Sequence, residues 1–148
     1  MAARLISIIG RKNAGKTTLT VTLAAEYVRR GKRVMTIKHG HHDANLDARG
    51  TDSFRHFHEG KAERVLLTGP GGRVLFDRAP DLYDPVALAR QYLADADVIL
   101  VEGFKHAAVP KIEEWRKEVT GGPLYAEPGA TRSESIALLT DDETHRAD

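Results

Sequence analysis

The chain contains no cysteine, which excludes a disulfide framework, thiolate or iron–sulfur metal sites and a cysteine nucleophile, and agrees with a reducing compartment. Charge of one sign is also lacking. Its 22 Lys and Arg stand against 21 Asp and Glu, leaving +1, too little for a general attraction to nucleic acid or an anionic membrane. The longest apolar stretches are about five residues, against the roughly 20 of a bilayer-spanning helix. Met1-Ala2-Ala3-Arg4 runs straight into a strand-like segment, not a signal-peptide apolar region. These absences point to a soluble cytoplasmic protein with no nucleic-acid or membrane partner. At 148 residues, 41% hydrophobic and 29% charged, the chain has the size of one globular domain, 1–148, with no repeat or linker to divide it.

Hydrophobic patterning places the elements. Leu5-Ile6-Ser7-Ile8-Ile9, closed by Gly10, reads as a strand buried on both faces. From Lys16 the period changes to three and four residues through Leu19, Leu23, Ala24 and Val28, ending in Arg29-Arg30-Gly31, a basic last turn and a C-terminal cap. Val34 to Ile37 is a second strand, completing a βαβ unit of right-handed crossover. Residues 38–60 are polar and histidine-rich, with a short helix over Asp52 to Glu59. Arg64–Thr68 and Arg73–Phe76 form a hairpin about Gly69-Pro70-Gly71-Gly72, expected to add antiparallel pairing at one side of the sheet. Asp84-Pro85 starts a helix through Leu93, and Val98–Val101 is a strand. Lys111 to Glu118 is too charged to assign, and Ile136–Leu139 is a last strand.

Gly10-Arg11-Lys12-Asn13-Ala14-Gly15-Lys16-Thr17, followed by Thr18, matches G-x-x-x-x-G-K-[ST] at every fixed position. Its glycines let backbone N–H groups close around a phosphate at a helix N-terminus, Lys16 reaches the terminal phosphates, and Thr17 offers a hydroxyl to Mg²⁺. At average residue frequencies this pattern arises by chance roughly once in 200 chains of this length, and less often between a strand and an amphipathic helix. The implied fold is a three-layer α/β domain with a mostly parallel sheet of the P-loop NTPase type and one antiparallel hairpin. The metal side needs a carboxylate at a neighbouring strand's end, and in Asp97-Val98-Ile99-Leu100-Val101-Glu102-Gly103 that residue is Glu102, not Asp97. His39-Gly40-His41-His42-Asp43, after the second strand, can serve a transition metal or contact phosphate. Asp52-Ser53 is either a helix start or a further polar contact to metal and phosphate. His56 and His58 read as surface residues, with Phe54 or Phe57 facing inward.

Together the phosphate loop, Thr36-Ile37-Lys38-His39-Gly40-His41-His42, Gly50-Thr51-Asp52-Ser53 with Arg55, Val101-Glu102-Gly103-Phe104-Lys105 and Pro110-Lys111-Ile112 resemble the MobB family, the molybdopterin-guanine dinucleotide biosynthesis adaptor proteins. The resemblance implies a homodimeric GTP-binding protein of slow intrinsic hydrolysis. It would assist the molybdenum cofactor guanylyltransferase, the nucleotidyltransferase that attaches GMP to molybdopterin. Gly10 to Thr18 would then bind the nucleotide's phosphates, and Lys16, Thr17 and Glu102 would carry the catalytic site, Thr17 and Glu102 holding the Mg²⁺. His39, His41, His42, Asp52 and Ser53 would lie across the nucleotide or pterin side, with Phe104, Lys105 and Lys111 lining the same crevice. The chain ends soon after Leu139, where members of the family continue with another strand and helix. With no Asn-Lys-x-Asp element, GTP over ATP is implied by the resemblance alone.

Hydrolysis needs positioning, charge neutralisation and an oriented water, and no residue announces itself for the last. Arg11 is a candidate for action in trans across a dimer, whose contact the apolar hairpin of residues 64–76 would supply. A small-molecule kinase is the enzymatic alternative, but residues 116–132 are too poor in arginine for a phosphate-covering lid. A GTP-dependent metallochaperone would need cysteine ligands or a long histidine tract, and a purely structural module would not need Lys16, Thr17 and Glu102.

Overall fold

The computed structural model describes residues 3–40, 47–78, 84–119, 121–130 and 134–146. The chain divides into two compact units, residues 1–39 with 83–148, and residues 40–82. The larger unit contains β1 (Arg4–Ile9), α1 (Lys16–Arg29), β2 (Val34–Lys38), α3 (Pro85–Tyr92), β5 (Val98–Glu102), β6 (Lys111–Trp115) and β7 (Ser135–Thr140). The smaller holds α2 (Asp52–His58), β3 (Arg64–Gly69) and β4 (Gly72–Asp77).

The five strands of the larger unit form one parallel sheet in the order β2-β5-β1-β6-β7. All five residues of β5 are buried, as expected for a central strand covered on both faces. Alternate residues feed two cores. On one face Ile8, Val98 and Leu100 pack with Ile6 and with Leu19, Leu23, Ala24 and Tyr27 of α1. On the other Ile99 and Val101 pack with Leu5, Met35, Ile37 and with Ala89 of α3. Helix, sheet and helix thus make three layers. Val28 does not join the first core; it is 61% exposed, and Tyr27 takes the place expected for it. Asp84 caps α3 by accepting from the Val86 N–H at 2.9 Å, with Pro85 in the first turn.

The charged stretch left unassigned by patterning is strand β6, where Lys111 and Glu113 are 4% and 2% exposed. Burial of charge is tolerated because each is surrounded by partners. The Lys111 ammonium donates to the carbonyls of Ala107 and Val109 at 2.6 and 3.2 Å and pairs with Glu134. The Glu113 carboxylate accepts from the backbone N–H groups of Leu124 and Tyr125 at 2.5 and 2.9 Å. Hydropathy alone assigns such residues to the surface.

In the smaller unit Thr51 caps α2, its hydroxyl accepting from the Phe54 N–H at 3.2 Å. Phe57 of α2 faces Phe76 of β4 with ring centroids 6.1 Å apart, and the Arg78 guanidinium lies 4.0 Å over the Phe57 ring. The hairpin does not extend the parallel sheet as expected; β3 and β4 form a separate two-stranded sheet. Among the described residues no helix is long and apolar enough to cross a membrane.

Glu113→Ala strands the two N–H groups that the carboxylate serves. We expect it to lower the unfolding free energy by about 2–3 kcal/mol, measured by urea denaturation at neutral pH.

Candidate phosphate-binding site

The loop between β1 and α1 has three residues of positive φ: Gly10 at 151°, Asn13 at 65° and Gly15 at 112°. Two of the glycines are required by close approach as well as by conformation. A Cβ on Gly10 would run into the backbone carbonyl of Glu114, and one on Gly15 into the Glu114 carboxylate. The loop therefore lies flush against the end of β6. The Lys16 ammonium folds back over it and donates to the Arg11 carbonyl at 2.8 Å. Burial lowers the Lys16 pKa from its ordinary value, the negative charge of Glu102 opposes that shift, and the positive charge of Lys38 adds to it. No side chain caps the first turn of α1, which leaves the positive end of its helix dipole to whatever the loop binds.

Strand register brings the acidic group into place. Glu102 ends β5 and lies in one row with Ile8 of β1 and Lys38 of β2. Its side chain is 9% exposed, and one oxygen, Oε1, accepts both the Thr17 hydroxyl at 2.9 Å and the Lys38 ammonium at 2.5 Å. Behind it the fully buried Ser7 donates to the Gly103 carbonyl at 2.6 Å. That bond holds the turn in which Gly103 and Phe104 adopt φ values of 105° and 55°. The His39 ring stacks on Phe104 at 4.7 Å, and the His39 backbone N–H donates to the Glu102 carbonyl at 3.1 Å.

On the opposite flank Arg116 donates from Nε to the Ala14 carbonyl at 2.7 Å and lies 3.5 Å from Glu114 Oε1. Arg11 is engaged within its own chain: Nε donates to the Gly122 carbonyl at 3.1 Å and Nη2 pairs with Glu127 at 2.5 Å. Trp115 binds the same segment through its indole N–H and the Gly121 carbonyl at 3.1 Å. The guanidinium considered as a candidate for action in trans thus has partners within its own chain.

The fold therefore gathers Gly10 to Thr18, Glu102, His39 and Phe104 about the C-terminal edge of the parallel sheet. Lys12, Thr18 and Lys105 are exposed. Lys111, assigned to the crevice by resemblance, is instead buried and bound by two carbonyls and Glu134. Asp52 and Ser53 open α2 in the smaller unit, Ser53 buried and Asp52 exposed. His41 and His42 lie outside the described residues. Lys38, Ser7 and Arg116 were not singled out for the site. Ser7 carried a legible signal, since a hydroxyl inside an all-apolar strand must find a partner. Arg116 was hidden because β6 itself was.

A parallel sheet with a glycine loop after its first strand, a lysine and a threonine opening the next helix, and a buried carboxylate at the adjacent strand's end define an α/β protein of the P-loop NTPase type. Residues 5–141 match the family model for molybdopterin guanine dinucleotide synthesis protein B, and the chain belongs to this MobB family. It is 37% identical over 117 residues to a molybdopterin-guanine dinucleotide biosynthesis adapter protein of Haemophilus influenzae, covering 78% of this chain and 65% of the relative. With the corresponding Escherichia coli protein it is 35% identical over 118 residues, covering 76% and 65%. The chain thus spans slightly less than two thirds of these relatives. The crystal structure of a MobB homologue from Bacillus stearothermophilus matches with 31% identity and a TM-score of 0.53, over 76% of this chain and 63% of that one. Bacillus subtilis MobB shares the fold, with a TM-score of 0.65 at 21% identity over 98% and 84%.

Because the Gly10 Cα faces a backbone carbonyl that cannot swing aside, Gly10→Ala should displace the loop or cost about 1–3 kcal/mol, read as a lowered urea midpoint.

Proposed function

We propose that this chain is a GTP-binding adaptor of molybdopterin guanine dinucleotide biosynthesis. It would bind GTP with Mg²⁺, hydrolyse it slowly, and act as a cytoplasmic homodimer beside the guanylyltransferase that joins GMP to molybdopterin. The observation that carries the nucleotide reading is the meeting of the Thr17 hydroxyl and the buried Glu102 carboxylate, 2.9 Å apart, at the mouth of the glycine loop. Hard oxygen donors of this kind suit Mg²⁺, which binds through one or two protein oxygens and completes its shell with water and phosphate oxygens. Bound there, the ion would neutralise phosphate charge.

The chain's own groups would do the rest. Backbone N–H groups of residues 13–17 would cradle the phosphates, the Lys16 ammonium would leave the Arg11 carbonyl for them, and Ser7 would keep the Gly103 turn, and so Glu102, in position. Slow hydrolysis is consistent with Arg11 being tied to Gly122 and Glu127. The choice of guanine rests on the family. We assign the pterin side to His39, Phe104 and the exposed Lys105. The homodimer reading is supported by the hairpin, whose paired residues Leu66 and Leu75, Leu67 and Val74 are 44–60% exposed.

Calorimetric titration with non-hydrolysable GTP and ATP analogues, each with Mg²⁺, tests the proposal. GTP should bind preferentially, and Lys16→Ala should weaken it by at least about tenfold. Preference for ATP, or binding indifferent to Lys16, refutes it. Light scattering at micromolar concentration should give twice the chain mass, and Leu66→Glu with Leu75→Lys should give the monomer.

A further inference from the structure

We propose that Lys38 is an exchangeable counter-ion of the site. It neutralises Glu102 in the free protein, and it passes its ammonium to the nucleotide's phosphate oxygens when a divalent cation takes its place on that carboxylate. The inference rests on the nucleotide-binding reading above and extends it to a residue with no role assigned so far.

Three observations carry it. First, Glu102 Oε1 already accepts two donors, Thr17 at 2.9 Å and Lys38 at 2.5 Å, which uses both lone-pair directions of that oxygen. A cation that takes up this oxygen beside Thr17, directly or through its water, needs one of them. The threonine can offer its own lone pair to the cation and keep its hydrogen on the carboxylate, whereas an ammonium can only donate. Lys38 is the group that must yield. Second, it is free to do so. Its backbone is fixed by the pairing of β2 with β5, but its side chain is 64% exposed while that of Glu102 is 9% exposed. The long solvated stem moves and the buried carboxylate stays.

Third, a destination lies within reach. Lys16 lies on the loop's Arg11 carbonyl at 2.8 Å, and Lys38 lies on the Glu102 oxygen that Thr17, the next residue after Lys16, also binds, so two ammonium groups, one from α1 and one from β2, stand at the loop's mouth. Two converging ammonium groups are a binding arrangement for a phosphate. Exchange keeps the charges matched throughout: carboxylate with ammonium before binding, carboxylate with metal and ammonium with phosphate afterwards.

The test uses the full chain, Lys38→Ala and Lys38→Arg, with two readouts. Mn²⁺ alone, followed by its paramagnetic resonance signal, should bind Lys38→Ala at least about threefold more tightly than the unsubstituted protein, because Glu102 has lost its competitor. The non-hydrolysable GTP analogue with Mg²⁺ should bind Lys38→Ala about tenfold or more weakly, and Lys38→Arg should recover part of that loss. Opposite signs are diagnostic, since mere loosening of the strand end would weaken both ligands. Unchanged nucleotide affinity in Lys38→Ala, or weakening of Mn²⁺ along with it, overturns the role of Lys38 alone. Failure of the unsubstituted protein to bind either nucleotide analogue overturns the underlying reading and this inference together.

Discussion

A carboxylate pressed to the end of a wholly apolar strand is the constraint about which this site is arranged. Glu102 follows four buried aliphatic residues, and its desolvated charge must be met by donors or cations. Thr17 and Lys38 meet it, and in doing so they tie the first turn of α1 and the end of β2 to one oxygen. The strand order β2-β5-β1 is what allows it. β5 runs between the strand that feeds the glycine loop and the strand that carries Lys38, so three segments distant in sequence end side by side.

The other flank obeys the same rule with different chemistry. β6 holds buried charge at Lys111 and Glu113, each enclosed by backbone donors or acceptors. Glu113 thereby pins residues 124 and 125, and Arg11 and Trp115 bind residues 121, 122 and 127 nearby. Together with Arg116 on the Ala14 carbonyl, these bonds brace the glycine loop from the side opposite Thr17 and Glu102. For the proposed binding of a phosphate by the loop's N–H groups such support is a gain, because ordering the loop beforehand removes that entropic cost from binding.

Most of the fold was legible in hydrophobic period alone. β1, α1, β2, β5 and the hairpin stood out because apolar residues repeat there at two, at three and four, or without interruption. The phosphate loop was legible because its chemistry constrains residue types at fixed spacing. The exceptions are places where the local pattern does not report the tertiary surroundings, as with the hairpin, which pairs only with itself. β6 was unreadable because its inward residues are charged, and hydropathy cannot distinguish a solvated lysine from one caged by carbonyls. Val28 was misplaced from the other direction, as an apolar residue left outside, since the helical period indicates a face without saying where the neighbouring strands end.

By itself, then, the sequence determined most of the architecture, the glycine loop, and the placing of Lys16 and Thr17 at the start of α1 and of Glu102 at the end of β5, because period and motif are local properties of the chain. Tertiary structure alone decided that Lys38 shares an oxygen with Thr17, that Ser7 holds the Gly103 turn, that Lys111 is internal and that Arg11 is tied to Glu127. Each of these pairs residues far apart in the chain, or turns on burial. Only the register between strands says which side chains meet.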